Sequence, residues 1–121
     1  MHQFPSSRDL QFLVGAALEQ VCLDPWSTQF HFAGGMRLTV EGSFEYYDAA
    51  GVQHVHQSGD ERDLGPVHLR TLLSQRITAA EADPLCLALT FGDGTTLRIH
   101  SDEGPWECGQ ISTPGGQLIV F

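Results

Sequence analysis

His54 and His56 are separated by a single residue. On a strand, positions i and i+2 project to one face, so the two imidazoles can share a metal ion. His68, Asp60 or Glu61 would supply a third ligand from nearby in sequence. A metal site needs three or four ligands in fixed geometry, and His-x-His is a short pattern; the plainer reading puts both histidines in a polar linker. The second set is acidic. Glu41, Glu45, Glu103 and Glu107 recur near the ends of matching segments, with Glu45 and Glu107 each following an aromatic residue, Phe44 and Trp106. If the two halves pack about a pseudo-two-fold axis, Glu45 and Glu107 converge and one of the two acquires a raised pKa, as acid–base hydrolysis requires. Otherwise each belongs to a solvated acidic rim. The same four residues, Phe44, Glu45, Trp106 and Glu107, also suit a binding surface for a basic protein, an aromatic ringed by carboxylates.

Other chemistries are not supported. Neither G-x-S-x-G nor a glycine-rich phosphate loop occurs. Cys22, Cys86 and Cys108 are odd in number and lack C-x-x-C spacing, so neither a disulfide framework nor a zinc knuckle is indicated. An acidic neighbour, Glu107, makes Cys108 less reactive. No cofactor is implied.

The elements that must position these residues are written twice. The chain has 121 residues, enough for one domain with one core, and its thirteen glycines and six prolines point to many tight turns. Shifted by 59 positions, Leu10, Leu13 and Val14 fall on Leu69, Leu72 and Leu73, Asp24-Pro25 falls on Asp83-Pro84, and Leu38 and Val40 fall on Leu97 and Ile99. Internal duplication is the simplest account. The i, i+3, i+4 spacing predicts a short helix at the start of each unit, with Ser7 as N-cap of the first and Gly15 as its stop. Strands follow over 17–23 and 76–82, each ended by Asp-Pro.

Next comes a hairpin whose register can be argued from alternation. For the apolar residues to share one face, Leu89 must oppose Leu97 and Leu87 must oppose Ile99, leaving Gly92-Asp93-Gly94 as the loop with Gly94 left-handed. The first copy gives Phe30 opposite Leu38 and Gly35 as the left-handed residue. Further on, Phe44-Glu45 answers Trp106-Glu107, and "DAAG" answers "TPGG" before a closing strand.

The fold class expected is therefore β-rich α+β: two repeated helix-plus-β-meander units sharing one core, as a sheet or a barrel-like system, with short helices on a face or end. Residues 1–121 form a single domain. The units span about 7–56 and 66–121, joined by a polar linker at about 53–65.

The segments "LLSQRI", "LTFGDGTTLRI", "PWECGQI" and "PGGQLIVF", with "LVGAALEQV" and "FEYYDAAG" upstream, resemble a family of small bacterial proteins of unknown function. That family reads Leu-Leu-Gly, Phe-x-Asp-Gly-x-x-Leu, aromatic-Glu-Ser, then Gly-Gly and an aliphatic end. The likeness covers most of the chain. Ser74 stands where Gly is usual, Trp106 where Tyr is frequent and Cys108 where Ser is frequent. The resemblance implies a bacterial source and the repeated fold, and no activity.

Net charge is −9 and the pI about 4.8, with only six Lys and Arg together, which argues against a phosphate-binding surface, so no nucleic-acid partner is expected. The first ten residues lack the pattern of a signal peptide, and no apolar run reaches the length of a membrane span, so the expected compartment is the cytoplasm. The function expected is a non-enzymatic bacterial interaction module, for example an immunity-type protein that masks a basic partner, and a homodimer is compatible with it. The alternative is a small metal- or carboxylate-dependent enzyme with its site at the interface of the repeats.

Overall fold

The computed structural model describes residues 3–57, 65–102 and 107–121. Among these residues two short 3₁₀ helices, η1 (Ser7–Leu13) and η2 (Gly65–Leu72), accompany ten strands. The strands are β1 (Leu18–Leu23), β2 (Thr28–Phe32), β3 (Arg37–Val40), β4 (Ser43–Tyr47), β5 (Gln53–Gln57), β6 (Ile77–Asp83), β7 (Cys86–Phe91), β8 (Thr96–His100), β9 (Gly109–Ser112) and β10 (Leu118–Val120). They form two antiparallel five-stranded sheets, ordered β1-β2-β3-β9-β10 and β5-β4-β8-β7-β6.

The expected α+β class with helix-plus-meander units is thereby corrected on two counts. First, no α-helix occurs among the described residues. Leu10 and Leu13 are buried while Val14 is exposed, and Leu69 and Leu72 are buried while Leu73 is exposed. That is the signature of three residues per turn, in which i and i+3 eclipse and i+4 is turned away. Gly15 stops the first helix with φ +93°, and Ser74 takes the same place in the second with φ +72°. Ser6, not Ser7, is the N-cap, its hydroxyl accepting from Asp9 N. Ser7 instead donates to Ala82 O and accepts from Ala82 N, while Gln11 donates to Ala80 O. The helix thus covers the edge of β6.

Second, the strands of one half do not form a single meander: β1-β2-β3 and β6-β7-β8 each stop at three strands, and the last two strands of each half join the other sheet. β9 pairs with β3, and β4 pairs with β8. The chain leaves β3 at Glu41-Gly42, whose two N–H groups donate to Cys108 O, and enters the other sheet as β4. Each half therefore completes its three-stranded sheet with the last two strands of the other half.

Within the halves the hairpins have the register argued from alternation: Phe30 opposite Leu38, Leu89 opposite Leu97 and Leu87 opposite Ile99. Phe32 N donates to Met36 O and Phe91 N to Thr95 O, both at 2.8 Å, closing three-residue loops in which Gly35 and Gly94 have φ +82° and +90°. A bulge falls after Leu18 in β1 and after Ile77 in β6, at matching positions. The halves meet at an isolated bridge between Ala17 and Arg76. Around it the hydrogen bonds are reciprocal: Gly15 N to Ile77 O and Ser74 N to Leu18 O, both 2.7 Å, then Leu18 N to Gln75 O and Ile77 N to Ala16 O, both 2.9 Å.

Beyond the hairpins the correspondence shifts. Phe44 lies opposite Ile99 while Gly109 lies opposite Val40, so the counterpart of Phe44 is Gly109 rather than Trp106. Gln53–Gln57, read as the start of the linker, pair with β4 as strand β5. Residues 58–64, the rest of that linker, lie outside the described residues.

The inner faces of both sheets enclose one core, in which Phe30 of one sheet meets Phe44 of the other edge-on at 5.7 Å between ring centroids. No helix among the described residues is long and apolar enough to cross a membrane.

Candidate functional site

Turning Leu87, Leu89, Leu97 and Ile99 into the core forces their strand neighbours Cys86, Ala88, Arg98 and His100 onto the outer face of the second sheet. One row there runs across all five strands: Val55, Glu45, Arg98, Ala88, Glu81. A flanking row contains Asp83, Cys86 and His100. Because Ala79 and Ala88 are small, the face is hollowed into an open groove of about 800 Å³, with Cys86, Glu81, Arg98 and His100 along it and Gln11 of η1 at its margin.

Glu45 is the best-held carboxylate of this face. Its side chain is 16% exposed, one oxygen accepts from Gln53 Nε2, and the other lies 3.4 Å from His100 Nε2. Gln53 Nε2 also donates to the Tyr47 hydroxyl. Ser101 N donates to Leu85 O, so Leu85 and Ser101 belong to the hydrogen-bonded set, and the facing pair Cys86 and His100 is of the closely spaced, non-bonded kind. A carboxylate, an imidazole and a thiol thus follow one another across β4, β8 and β7. Burial pushes the Cys86 thiol above its ordinary pKa; the nearby Arg98 charge pulls down, and Asp83 and Glu45 push further up. The thiol is therefore protonated at neutral pH and a weak nucleophile. The face carries charges of both signs, Glu45, Glu81 and Asp83 together with Arg98.

The residues singled out from sequence are dispersed. Glu45 lies on this face. Phe44, on the opposite side of the same strand, is fully buried and props the core. Glu107 is exposed just before β9, in the other sheet, and Trp106 lies outside the described residues. His54 and His56 do share one side of β5, but it is the inner side. The His54 ring stacks on Tyr46 at 4.5 Å with its Nε2 3.3 Å from an Asp48 carboxylate oxygen, and buried His56 packs 5.0 Å from the Phe44 ring. Asp60 and Glu61 lie outside the described residues, as does the side chain of His68. Among the described residues no group of three or more His, Cys, Asp or Glu side chains is placed to hold a metal.

Backbone N–H donation from Val52 comes first in holding the Asp48 carboxyl below its ordinary pKa, with smaller help from His54 and from the N–H of Ala50. Asp24 is lowered likewise, first by the Ser27 hydroxyl and then by the N–H groups of Trp26 and Ser27. Both carboxylates organise turns.

Sequence reasoning gave Arg98, His100 and Glu81 no role and weighed Cys86 only for disulfide or zinc spacing. For Arg98 and His100 a signal was present: they are the polar alternates of the hairpin whose apolar positions fix the register. In comparisons with known proteins, no family model, no curated protein and no solved structure matches the chain.

Proposed function

We propose that the protein is a non-enzymatic interaction module of the bacterial cytoplasm that binds a basic protein, in the manner of an immunity protein, through the outer face of the second sheet. The observation that carries this reading is the presentation of Glu45 and Glu81 on rigid strands either side of Ala88, in a chain of net charge −9. Three strand spacings separate β4 from β6, about 14 Å, which suits two cationic side chains of one partner rather than a single small cation. Between them stand Arg98, directly opposite Glu45, and Ala88; Ala88 and Ala79 leave room for a partner's apolar contacts, and the negative field of the whole chain speeds encounter.

Capture experiments at low and high salt test the reading. A protein retained at low salt should be released at high salt, and should be lost when Glu45→Gln, Glu81→Gln and Asp83→Asn are combined. Retention by that variant, or loss by Asp93→Asn at the opposite end of β7, would remove the basis of the proposal. A second reading, a carboxylate-dependent enzyme, draws support from Glu45 and His100 standing beside Cys86 in the groove. It requires an activity that His100→Ala abolishes, without loss of folding.

A further inference from the structure

We propose that the open edge of β10 is a self-association surface, to which a second copy of this chain adds its own β10 antiparallel. β10 is the last strand of its sheet. Gly109 and Phe121 exchange N–H···O bonds, and Thr113 N donates to Gln117 O. By alternation Ile119 also faces β9, and the N–H and C=O groups of Leu118 and Val120 are directed to the open edge. Such a row is a template for another strand unless it is blocked by charge, proline, a bulge or a cover.

The other edges are partly covered: Ser7 and Gln11 of η1 bond to β6, the reciprocal bonds around Ala17 and Arg76 occupy the start of β1 at Leu18, and η2 lies beside β5. β10 has none of these devices among the described residues. From Gly109 to Phe121 there is no charged side chain, and the one proline, Pro114, sits in the turn. Leu118 is 57% exposed. Beside the strand, Phe12, Pro114 and Ile119 line a groove of about 540 Å³ against η1. This is a place where the halves differ: Thr71 stands in η2 where Phe12 stands in η1.

Two features select a second copy as occupant. A chain of net charge −9 repels its own copy over most of its surface, and the β9–β10 hairpin adds no charged side chain to that repulsion, Asp9 of η1 being the carboxylate that lines the groove beside it. The edge is also self-complementary. A two-fold axis through Ile119 pairs Leu118 of each copy with Val120 of the other, each pair exchanging both N–H···O bonds, and brings the two Ile119 side chains together at the mouth of the Phe12 groove. A basic partner would find no carboxylate on this strand.

Light scattering coupled to size exclusion, with sedimentation equilibrium, tests the proposal. The wild type should be a dimer that tightens as salt rises from about 50 to about 500 mM, because screening removes like-charge repulsion. Capture of a basic partner has the opposite salt dependence, so the two proposals fail separately. Leu118→Glu and Val120→Pro, the latter removing an outward N–H, should each weaken the dimer by about tenfold or more. Val55→Glu, at the matching position of β5, should leave it intact. In the wild type itself, the Leu118 and Val120 amides should gain protection from hydrogen exchange on concentration. A wild type that is monomeric at about 100 μM, a dimer indifferent to both β10 variants, or amides unprotected in the dimer would each overturn it.

Discussion

Gly109 lies directly against the ring of Phe121, so close that a Cβ at this position would stand 2.5 Å from Phe121 Cζ and would also strike the carbonyl oxygen of Thr39. On β4 the matching position is Phe44, whose own ring fills the corresponding space. In the β9–β10 hairpin the ring comes from Phe121, which is fully buried and stacked on Phe4 at 4.3 Å. Gly109→Ala must therefore displace both a backbone oxygen and a core ring. It should cost about 2–3 kcal/mol, in the range of core overpacking, as read by urea denaturation.

Ser74 is the one non-glycine residue with positive φ among the described residues, and Gly15 holds the matching place. A left-handed backbone costs an L-residue about 1–2 kcal/mol, partly offset by the greater freedom of glycine in the unfolded chain. Ser74→Gly should stabilise the protein by about 0.5–1 kcal/mol and raise Tm by about 2–6 °C. Gly15→Ser should lower Tm by a similar amount. A lower Tm for Ser74→Gly would show that the serine side chain contributes more than the strain costs.

The lowered pKa of Asp48 sets a sign for acid stability. A carboxyl depressed in the folded state contributes stability that is complete above the unfolded value of about 3.9. That contribution is lost as pH falls through the lower folded value. Asp48→Asn keeps an acceptor for the turn but does not titrate, so its stability should fall less steeply below about pH 4 than that of the wild type. Denaturation curves between about pH 3 and pH 6 check this; parallel slopes would refute it.

Cys86 should be slow to alkylate at neutral pH. Its thiol is pushed up by burial, so the rate of reaction with iodoacetamide should still be rising with pH above the ordinary thiol value of about 8.5. Peptide-resolved alkylation across a pH series measures this site apart from Cys22 and Cys108. A plateau near neutrality would mean an activated thiol, and would favour the enzymatic reading of the groove.

The parts of this fold legible in the sequence are those fixed by neighbours along the chain. Alternation together with a glycine-ended loop admits one register for Leu87–Ile99 and Phe30–Leu38, because a slip would bury Arg98 or expose Leu97. Helix type was not legible: Leu10, Leu13 and Val14 satisfy an α-helical stripe as well as a 3₁₀ one, and the exposure of Val14 depends on the sheet it meets. Strand exchange was hidden for another reason. β3 meets β9 and β4 meets β8 without any connecting turn, so no local signal marks the pairing. The likeness of Phe44-Glu45 to Trp106-Glu107 was a coincidence of composition; the true partner of Phe44, Gly109, has no side chain to reveal it. As for the candidate site, Glu45 was found as a carboxylate. Arg98 and His100 alternate with Leu97 and Ile99, and alternation alone assigns them an outward direction but no role.

The exchange of strands between the halves has a consequence for the chain's connectivity. Neither half can close its own sheet, and each presents the other with two strands, in the way domain-swapped protomers do. Covalent continuity between the halves is then dispensable once they are folded. A break introduced between residues 57 and 65 should leave two fragments held by the β3–β9 and β4–β8 pairings and by the bridge at Ala17 and Arg76. The molecule is, in this sense, an obligate heterodimer of its own two halves, expressed as one polypeptide.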